Sequence, residues 1–494
     1  MFDMFLNGIG NIFLNPQVIL LSLIGVAVGI IVGALPGLTA TMGVALLLPL
    51  TFGMEPTAGL LLLSGVYFGG VYGGSITAIL LKTPGTPAAA ATALDGYALT
   101  QKGMAGKALG AATISSFTGG TLSIIILMFL SPVLANIALE FSAAETFALA
   151  VFGLSIIASI AGKSLLKGLI AGVVGLLLAM VGMDPMLGLP RFTGGIPEIM
   201  SGIPFIPVMI GLFAATEAFN TLEESAVKEK VKATIERILP PWSDIKRLIP
   251  TILRSTGLGT FIGIIPGAGA DIAAFVSYNE AKRFSKDKDG FGKGKLEGVS
   301  ACEAGANACT GGALVPLLTL GIPGDAVTAV MLGALMVQGL QPGPMLFKNN
   351  GDLVYTLFVG MILCYIFLLI MGLFASRYFA KVVEIPKSVL TPIILVLCIV
   401  GSYAINNSVF DVYIMLIAGI IGYFMQKLDF PASPIVLALI LGPMAESQFR
   451  RALAMSNGSF DIFYTRPIAL ILIIISIATL LTPIIKSIWK MKKA

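Results

Sequence analysis

The chain has 494 residues, of which 56% are hydrophobic and only 12% charged, and its mean hydropathy is +0.96. Soluble domains carry about 25% charged residues, so a soluble globular enzyme is excluded at once. The absence of histidine removes His-based zinc sites, Ser-His-Asp triads and imidazole acid–base switching. A net charge of +5, spread over short loops, fits orientation of membrane spans and not nucleic-acid binding. Cys302, Cys309, Cys364 and Cys398 sit in apolar stretches and show neither a disulfide framework nor a CxxC metal spacing.

The start, Met1 to Pro16, lacks the basic n-region of a cleavable signal. The first apolar run, 17–35, is long enough to cross a bilayer, and further spans are expected at 57–81, 106–130, 145–162, 165–183 and 203–220. Beyond the middle come 299–321, 353–376, 388–405, 409–426, 432–445 and 466–486. With shorter pieces at 38–53, 268–281 and 325–340, the expectation is an all-α polytopic membrane protein of about 12 transmembrane or re-entrant helices.

The long polar insertion carries Lys228, Lys230, Lys232, Arg237, Lys246 and Arg247 and is broken by Pro240-Pro241. It divides the chain into a first membrane repeat (1–220), a cytoplasmic amphipathic linker (221–254) and a second repeat with C-terminal scaffold helices (255–494). A solvated surface helix with no partner is the competing reading of that insertion. The Lys282–Lys295 stretch reads as a second cytoplasmic loop, and the basic tail from Lys486 puts the C-terminus in the cytoplasm.

An internal repeat flanks the linker. Val32-Gly-Ala-Leu-Pro-Gly37 matches Ile262-Gly-Ile-Ile-Pro-Gly267, and Lys82-Thr-Pro-Gly-Thr-Pro87 is echoed by Gly321-Ile-Pro-Gly-Asp-Ala326. Matched breaks in two halves point to a transporter binding site. Basic clusters flank the second-half segment 255–281 on both sides, whereas 17–53 has none before Lys82. Opposite sidedness makes the halves an inverted repeat, with each first break the tip of a re-entrant hairpin. A single broken helix in each half is the alternative.

A Pro-Gly step frees backbone N–H groups at a new helix N-terminus, and in lipid these must be buried in protein or line a polar cavity. Such N-termini attract carboxylates. The candidate substrate site is therefore Pro36-Gly37, Pro84-Gly85, Pro266-Gly267 and Pro323-Gly324, converging at the midplane, with Thr39, Thr41, Thr83, Thr86, Asn307 and Thr310 beside them. Lys82 either snorkels to the surface as an orientation signal or faces the anion. Three acids in apolar surroundings, Asp271, Glu303 and Asp325, are candidates for cation coupling, with Na⁺ placed near Asp271 and Asp325. Asp325 is equally placed to be a helix cap, and Glu303 to lie at the interface. No HExxH, Walker A loop or catalytic dyad is present, so neither an enzyme nor a cofactor is expected beyond the coupling Na⁺ or H⁺.

The runs at 33–41, 72–87, 265–271, 297–307 and 320–326 are together similar to the large membrane subunit of the tripartite tricarboxylate transporters. The resemblance implies a prokaryotic inner-membrane permease that works with a small membrane subunit and a periplasmic solute-binding protein. It also implies secondary import of citrate or other carboxylates without ATP. A binding-protein-independent organic-anion carrier or an anion channel is the alternative.

Overall fold

The computed structural model describes residues 2–35, 37–155, 157, 164–184, 188–223, 238–382 and 387–491. In chain order the first elements are α1 (Phe2–Leu14), α2 (Pro16–Ala34), α3 (Ala40–Leu47), α4 (Pro56–Leu81), α5 (Ala89–Gln101), α6 (Ala105–Ala138) and α7 (Ala143–Ser155). There follow α8 (Leu165–Ala179), the antiparallel ribbon of β1 (Gly182–Met183) and β2 (Pro190–Arg191), and α9 (Phe205–Glu223). After the linker come α10 (Trp242–Ile264), α11 (Ala270–Phe284), α12 (Leu296–Leu320), α13 (Ala326–Val337), α14 (Pro344–Asn349) and α15 (Gly351–Phe374). The chain ends with α16 (Ser376–Val382), α17 (Lys387–Asn406), α18 (Val409–Lys427), α19 (Ser433–Met455), α20 (Ile462–Thr465) and α21 (Pro467–Met491).

Among the described residues seven helices are long and apolar enough to cross a membrane, namely α2, α4, α6, α9, α15, α17 and α18, and shorter apolar helices join them. The chain is an all-α polytopic membrane protein. Lys228, Lys230, Lys232 and Arg237 of the linker lie outside the described residues, as does part of the span expected at 145–162.

Several boundaries differ from the sequence expectation: α1 is not among the expected spans, α6 runs on from 130 to Ala138, and two further differences have a clear physical reason. Helix α10 starts at Trp242, inside the polar insertion, because Pro241 sets its first turn. Leu248 and Ile252 then bury against Ala111 and Ala304. Helix α19 runs past 445 to Met455, because the charges that end its apolar run, Glu446 and Arg450, are paired rather than left in lipid.

The chain forms two compact units, one of Met1–Ala135 with Asn220–Leu397 and one of Asn136–Phe219 with Cys398–Ala494. In the first, α4 is buried along its whole spanning window, and α12 is buried from Gly298 to Thr319. Glycines let their neighbours approach. Cβ atoms added at Gly29 and Gly33 of α2 would stand 2.5 and 2.1 Å from carbonyls of Val66 and Gly70. Those at Gly259 and Gly263 of α10 would stand 2.2 and 2.3 Å from carbonyls of Gly305 and Cys309. The two stripes sit in the same register before Pro36 and Pro266, so the sequence repeat is also a repeat of helix packing.

Helix α3 returns along α4, with Ala40 beside Gly70 and Gly43 beside Val66. Helix α11 returns along α12, with Ser277 at Gly305 and Tyr278 at Gly298. The chain thus turns back at each first break instead of running on as one broken helix. At the second breaks α4 and α12 end on left-handed residues, Lys82 (φ 62) and Gly321 (φ 71). The chain then doubles back, so that Gly85 packs on Gly74 and Gly324 on Ala313. At 1.5 Å per residue that is about 10 Å inward from each helix end.

Helices α4 and α12 run antiparallel. Ser75 meets Glu303, while Phe68 stacks at 4.6 Å on Tyr365, whose hydroxyl lies 2.7 Å from Thr310. In the second unit Phe147, Phe449 and Phe463 pack together. Arg191 binds Glu446 through two hydrogen bonds of 2.6 and 3.1 Å, and Arg450 reaches the buried Asp184 at 2.9 Å. Exposed Ile417, Ile421 and Phe424 on α18 form the kind of apolar surface that lipid covers.

Candidate functional site

In the first half, Pro36 lies outside the described residues, and Gly37 follows with a φ of 94° that favours glycine. Thr39 caps α3 by accepting the Met42 N–H at 3.2 Å, and Thr41 lies half-buried in the first turn. A Cβ at Gly85 would stand 1.9 Å from the Gly33 carbonyl, so the loop seats directly against the hairpin arm. Thr83 donates to the Leu81 carbonyl at 3.3 Å, and Pro84 beside it is half-buried. Thr86 is buried against Gly74, and its Oγ1 has no hydrogen-bond partner among the described residues. Lys82 itself is exposed at the end of α4, its Nζ 5.9 Å from the Tyr97 ring centre. The loop tip lies deep; the lysine beside it does not.

In the second half, the Gly267 N–H donates to the Gly324 carbonyl at 2.7 Å, joining the two tips directly. Pro266 and Gly267 are half-buried, Pro323 and Gly324 buried. Asp325 caps α13 in a reciprocal box with Thr328, at 2.8 Å in each direction. Its other oxygen accepts the Tyr67 hydroxyl of α4 at 2.5 Å. Asp271, in the first turn of α11, is exposed. Among the described residues no three Cys, Asp or Glu side chains gather as metal ligands. The tips therefore form two pairs, one beside Gly70–Gly74 of α4 and one beside Cys309–Ala313 of α12.

Glu303 is 2% exposed, well inside the protein, and its carboxylate is held by hydroxyls from three other helices. Ser75 of α4 and Thr92 of α5 donate to Oε1, the latter at 2.5 Å, and Ser116 of α6 donates to Oε2 at 3.0 Å. One turn on, Asn307 Nδ2 donates to the Glu303 main-chain carbonyl at 3.1 Å, while its Oδ1 is buried without a partner among the described residues. Thr310 donates to the Asn307 carbonyl at 2.7 Å. Orphaned buried polar atoms of this kind are what a ligand or a water completes. Ser75 follows Gly74, against which Thr86 packs, so Glu303 reaches from α12 to the first-half tips.

Asp95 on α5 was not singled out by its sequence setting, yet it is fully buried. One of its oxygens accepts the N–H groups of Gly292, Gly294 and Lys295 at 2.9, 2.8 and 2.8 Å. The other accepts the Tyr278 hydroxyl at 3.0 Å. Positive φ at Gly292 (81°) and Gly294 (97°) turns these amides toward one point, a backbone nest occupied by the protein's own carboxylate. The lone-acid criterion that marked Glu303 applies equally to Asp95. Tyr67, Ser75, Thr92 and Ser116 carried no comparable signal.

Broken helices that bring polar tips into an all-α membrane body are a construction of membrane transport proteins. The chain belongs to the tripartite tricarboxylate transporter TctA family, whose model matches residues 19–437, and which forms the large subunit of such transporters. It is 39% identical over 478 residues, 96% of this chain and 95% of the relative, to an Agrobacterium vitis protein described as "Uncharacterized 52.8 kDa protein in TAR-I ttuC' 3'region". A second Agrobacterium vitis protein, "Uncharacterized protein in TAR-II ttuC' 3'region", is 35% identical over 230 residues, 47% of this chain and 95% of that one. No solved structure matches.

Proposed function

We propose that the chain is the permease subunit of a binding-protein-dependent secondary transporter, importing tricarboxylates of the citrate type or related carboxylates. The observation that carries this reading is the two tip pairs, the first with the orphaned Thr86 Oγ1 beside it, together with a second orphaned atom, Asn307 Oδ1, one turn from Glu303 on α12. The N-termini of α3, α5 and α11, which follow the tips at Gly37, Gly85 and Gly267, supply donors for carboxylates. That of α13, after Gly324, is taken by Asp325, and Thr39, Thr41, Thr83, Thr86 and Thr310 supply hydroxyls. Lys82 and Asp271 stand at exposed positions where an entering anion and cation meet the protein. Na⁺ or H⁺ is the coupling ion, with Asp271, Glu303 and Asp325 as its acids. The antiparallel course of α4 and α12, the matched long helices of the two halves, supports an inverted repeat. The work is transport and not catalysis. A small membrane subunit and a periplasmic solute-binding protein complete the system in the inner membrane, with the C-terminus in the cytoplasm.

The test is uptake of labelled citrate and other carboxylates into proteoliposomes holding this chain and its small subunit. Accumulation that requires both a binding protein outside and a cation gradient supports the reading. Equilibration with neither identifies a carrier or channel and overturns it.

A further inference from the structure

We propose that Glu303, with Ser75, Thr92 and Ser116, is a proton-carrying site, so that the coupling ion bound there is H⁺; this deepens the transport reading and rests on it. The first argument is how the hydroxyls are used. Serine and threonine in apolar helices ordinarily donate to the carbonyl one turn back. In this chain Ser64 does so on α4, and Thr113 and Thr118 on α6, each at 2.8 Å. Ser75, Thr92 and Ser116 depart from that pattern and turn to Glu303.

The second argument is charge. Glu303 has no ion-pair partner among the described residues, and a carboxylate buried without a cation is costly. The titratable groups around it do not supply a cation. Helix α4 offers Tyr72, already engaged by Thr113 at 2.7 Å. Helix α5 offers Asp95 and α11 offers Tyr278, bonded to each other. Helix α12 itself adds the buried thiol Cys302. Farther along, Arg247 of α10 pairs with Glu297 and Lys107 of α6 with Asp244. A proton supplies the missing positive charge.

The third argument is spacing. A metal ion bound at about 2.0–2.6 Å keeps oxygens from two different side chains roughly 3 Å apart. Thr92 Oγ1 stands 2.5 Å from Oε1, and Ser75 contacts the same oxygen. Contacts this short are those of strong hydrogen bonds to the carboxylate. On loading, the carboxylate takes a proton from hydronium, leaving water, and its new O–H donates a hydrogen bond to one hydroxyl, which rotates its own hydrogen to the carbonyl behind it. On release the proton returns to water on the other side, and no covalent bond other than O–H changes.

The experiment is infrared difference titration of the purified full chain, following the protonated-carboxyl band in H₂O and D₂O, for wild type, Glu303→Gln, Glu303→Asp and Asp325→Asn. A buried band that is lost in Glu303→Gln, retained in Asp325→Asn and restored in Glu303→Asp is the expected result. Glu303→Asp also guards against loss of fold in the glutamine variant. A band that survives Glu303→Gln, or is missing from wild type, overturns the proposal. Uptake is then measured with opposed gradients. Accumulation that follows an inward pH gradient without Na⁺ supports the proton site, and accumulation that follows Na⁺ alone overturns it. Failure of every carboxylate to enter, with the Glu303 band intact, strikes the transport reading and leaves the proton site standing.

Discussion

Tyr67, in the middle of α4, donates its hydroxyl to the Asp325 carboxylate at 2.5 Å, tying the buried helix of the first half to the tip of the second. Both residues are buried. Hydrogen bonds to charged groups contribute about 1.5–3 kcal/mol. Tyr67→Phe is therefore expected to lower stability by an amount in that range and to reduce carboxylate uptake. Thermal unfolding in detergent and proteoliposome flux measure the two effects. A variant with wild-type stability and flux would show the bond to be dispensable.

The glycine stripes separate positions that tolerate a methyl group from those that do not. A Cβ at Gly85 or Gly263 meets a backbone carbonyl at 1.9 or 2.3 Å, whereas Gly257 has nothing within 4 Å. Overpacking costs typically 1–3 kcal/mol or more. Gly85→Ala and Gly263→Ala should lower the stability, and Gly257→Ala, in an open helix position, should raise it by about 1 kcal/mol. Equal effects at all three would refute the close packing of α2 and α10.

Lys82 and Gly321 occupy matched left-handed positions, at φ 62° and 71°. A non-glycine residue there costs roughly 1–2 kcal/mol. Lys82→Gly should stabilise the protein and Gly321→Ala destabilise it, as read by melting of the purified variants. The opposite order would mean that the two turns are not equivalent.

The Asp287–Lys295 bond at 3.1 Å holds the loop between α11 and α12. It draws the exposed Asp287 carboxyl below its usual range, first through the Lys295 hydrogen bond. A depressed carboxyl stabilises the folded loop above its unfolded value, and that contribution disappears as pH falls through the folded value. The protection factors of the amides at Gly290–Lys295, corrected for intrinsic exchange, should thus be constant near neutrality and smaller in acid. Asp287→Asn should remove that acid dependence, and Asp95→Ala should raise exchange at every pH.

The parts of this architecture that the sequence reveals are those repeated in it. The Pro-Gly steps and the glycines before them recur in register, so the hairpins and doubled-back loops follow from backbone chemistry alone. Helix caps and ion pairs are less visible. Asp271 and Asp325 both lie close to a break, yet one is exposed and the other buried, because their rotation about the helix depends on packing. The Ser75, Thr92 and Ser116 hydroxyls are ordinary in their own segments. Only the convergence of α4, α5 and α6 on α12 gives them a common acceptor. Apolar counting ends α19 at the first charge, since it cannot foresee Arg191 reaching Glu446 from a distant ribbon.

Thr92 and Asp95 sit one turn apart on α5, the first holding Glu303 and the second the glycine loop. Because that loop's occupant is tethered, any diffusible anion competes with an effective concentration of at least about a millimolar. The loop is thereby insulated from the composition of the surrounding solution and responds to the position of one helix. A displacement of α5 would strain both attachments together, linking the interior carboxylate to the surface loop.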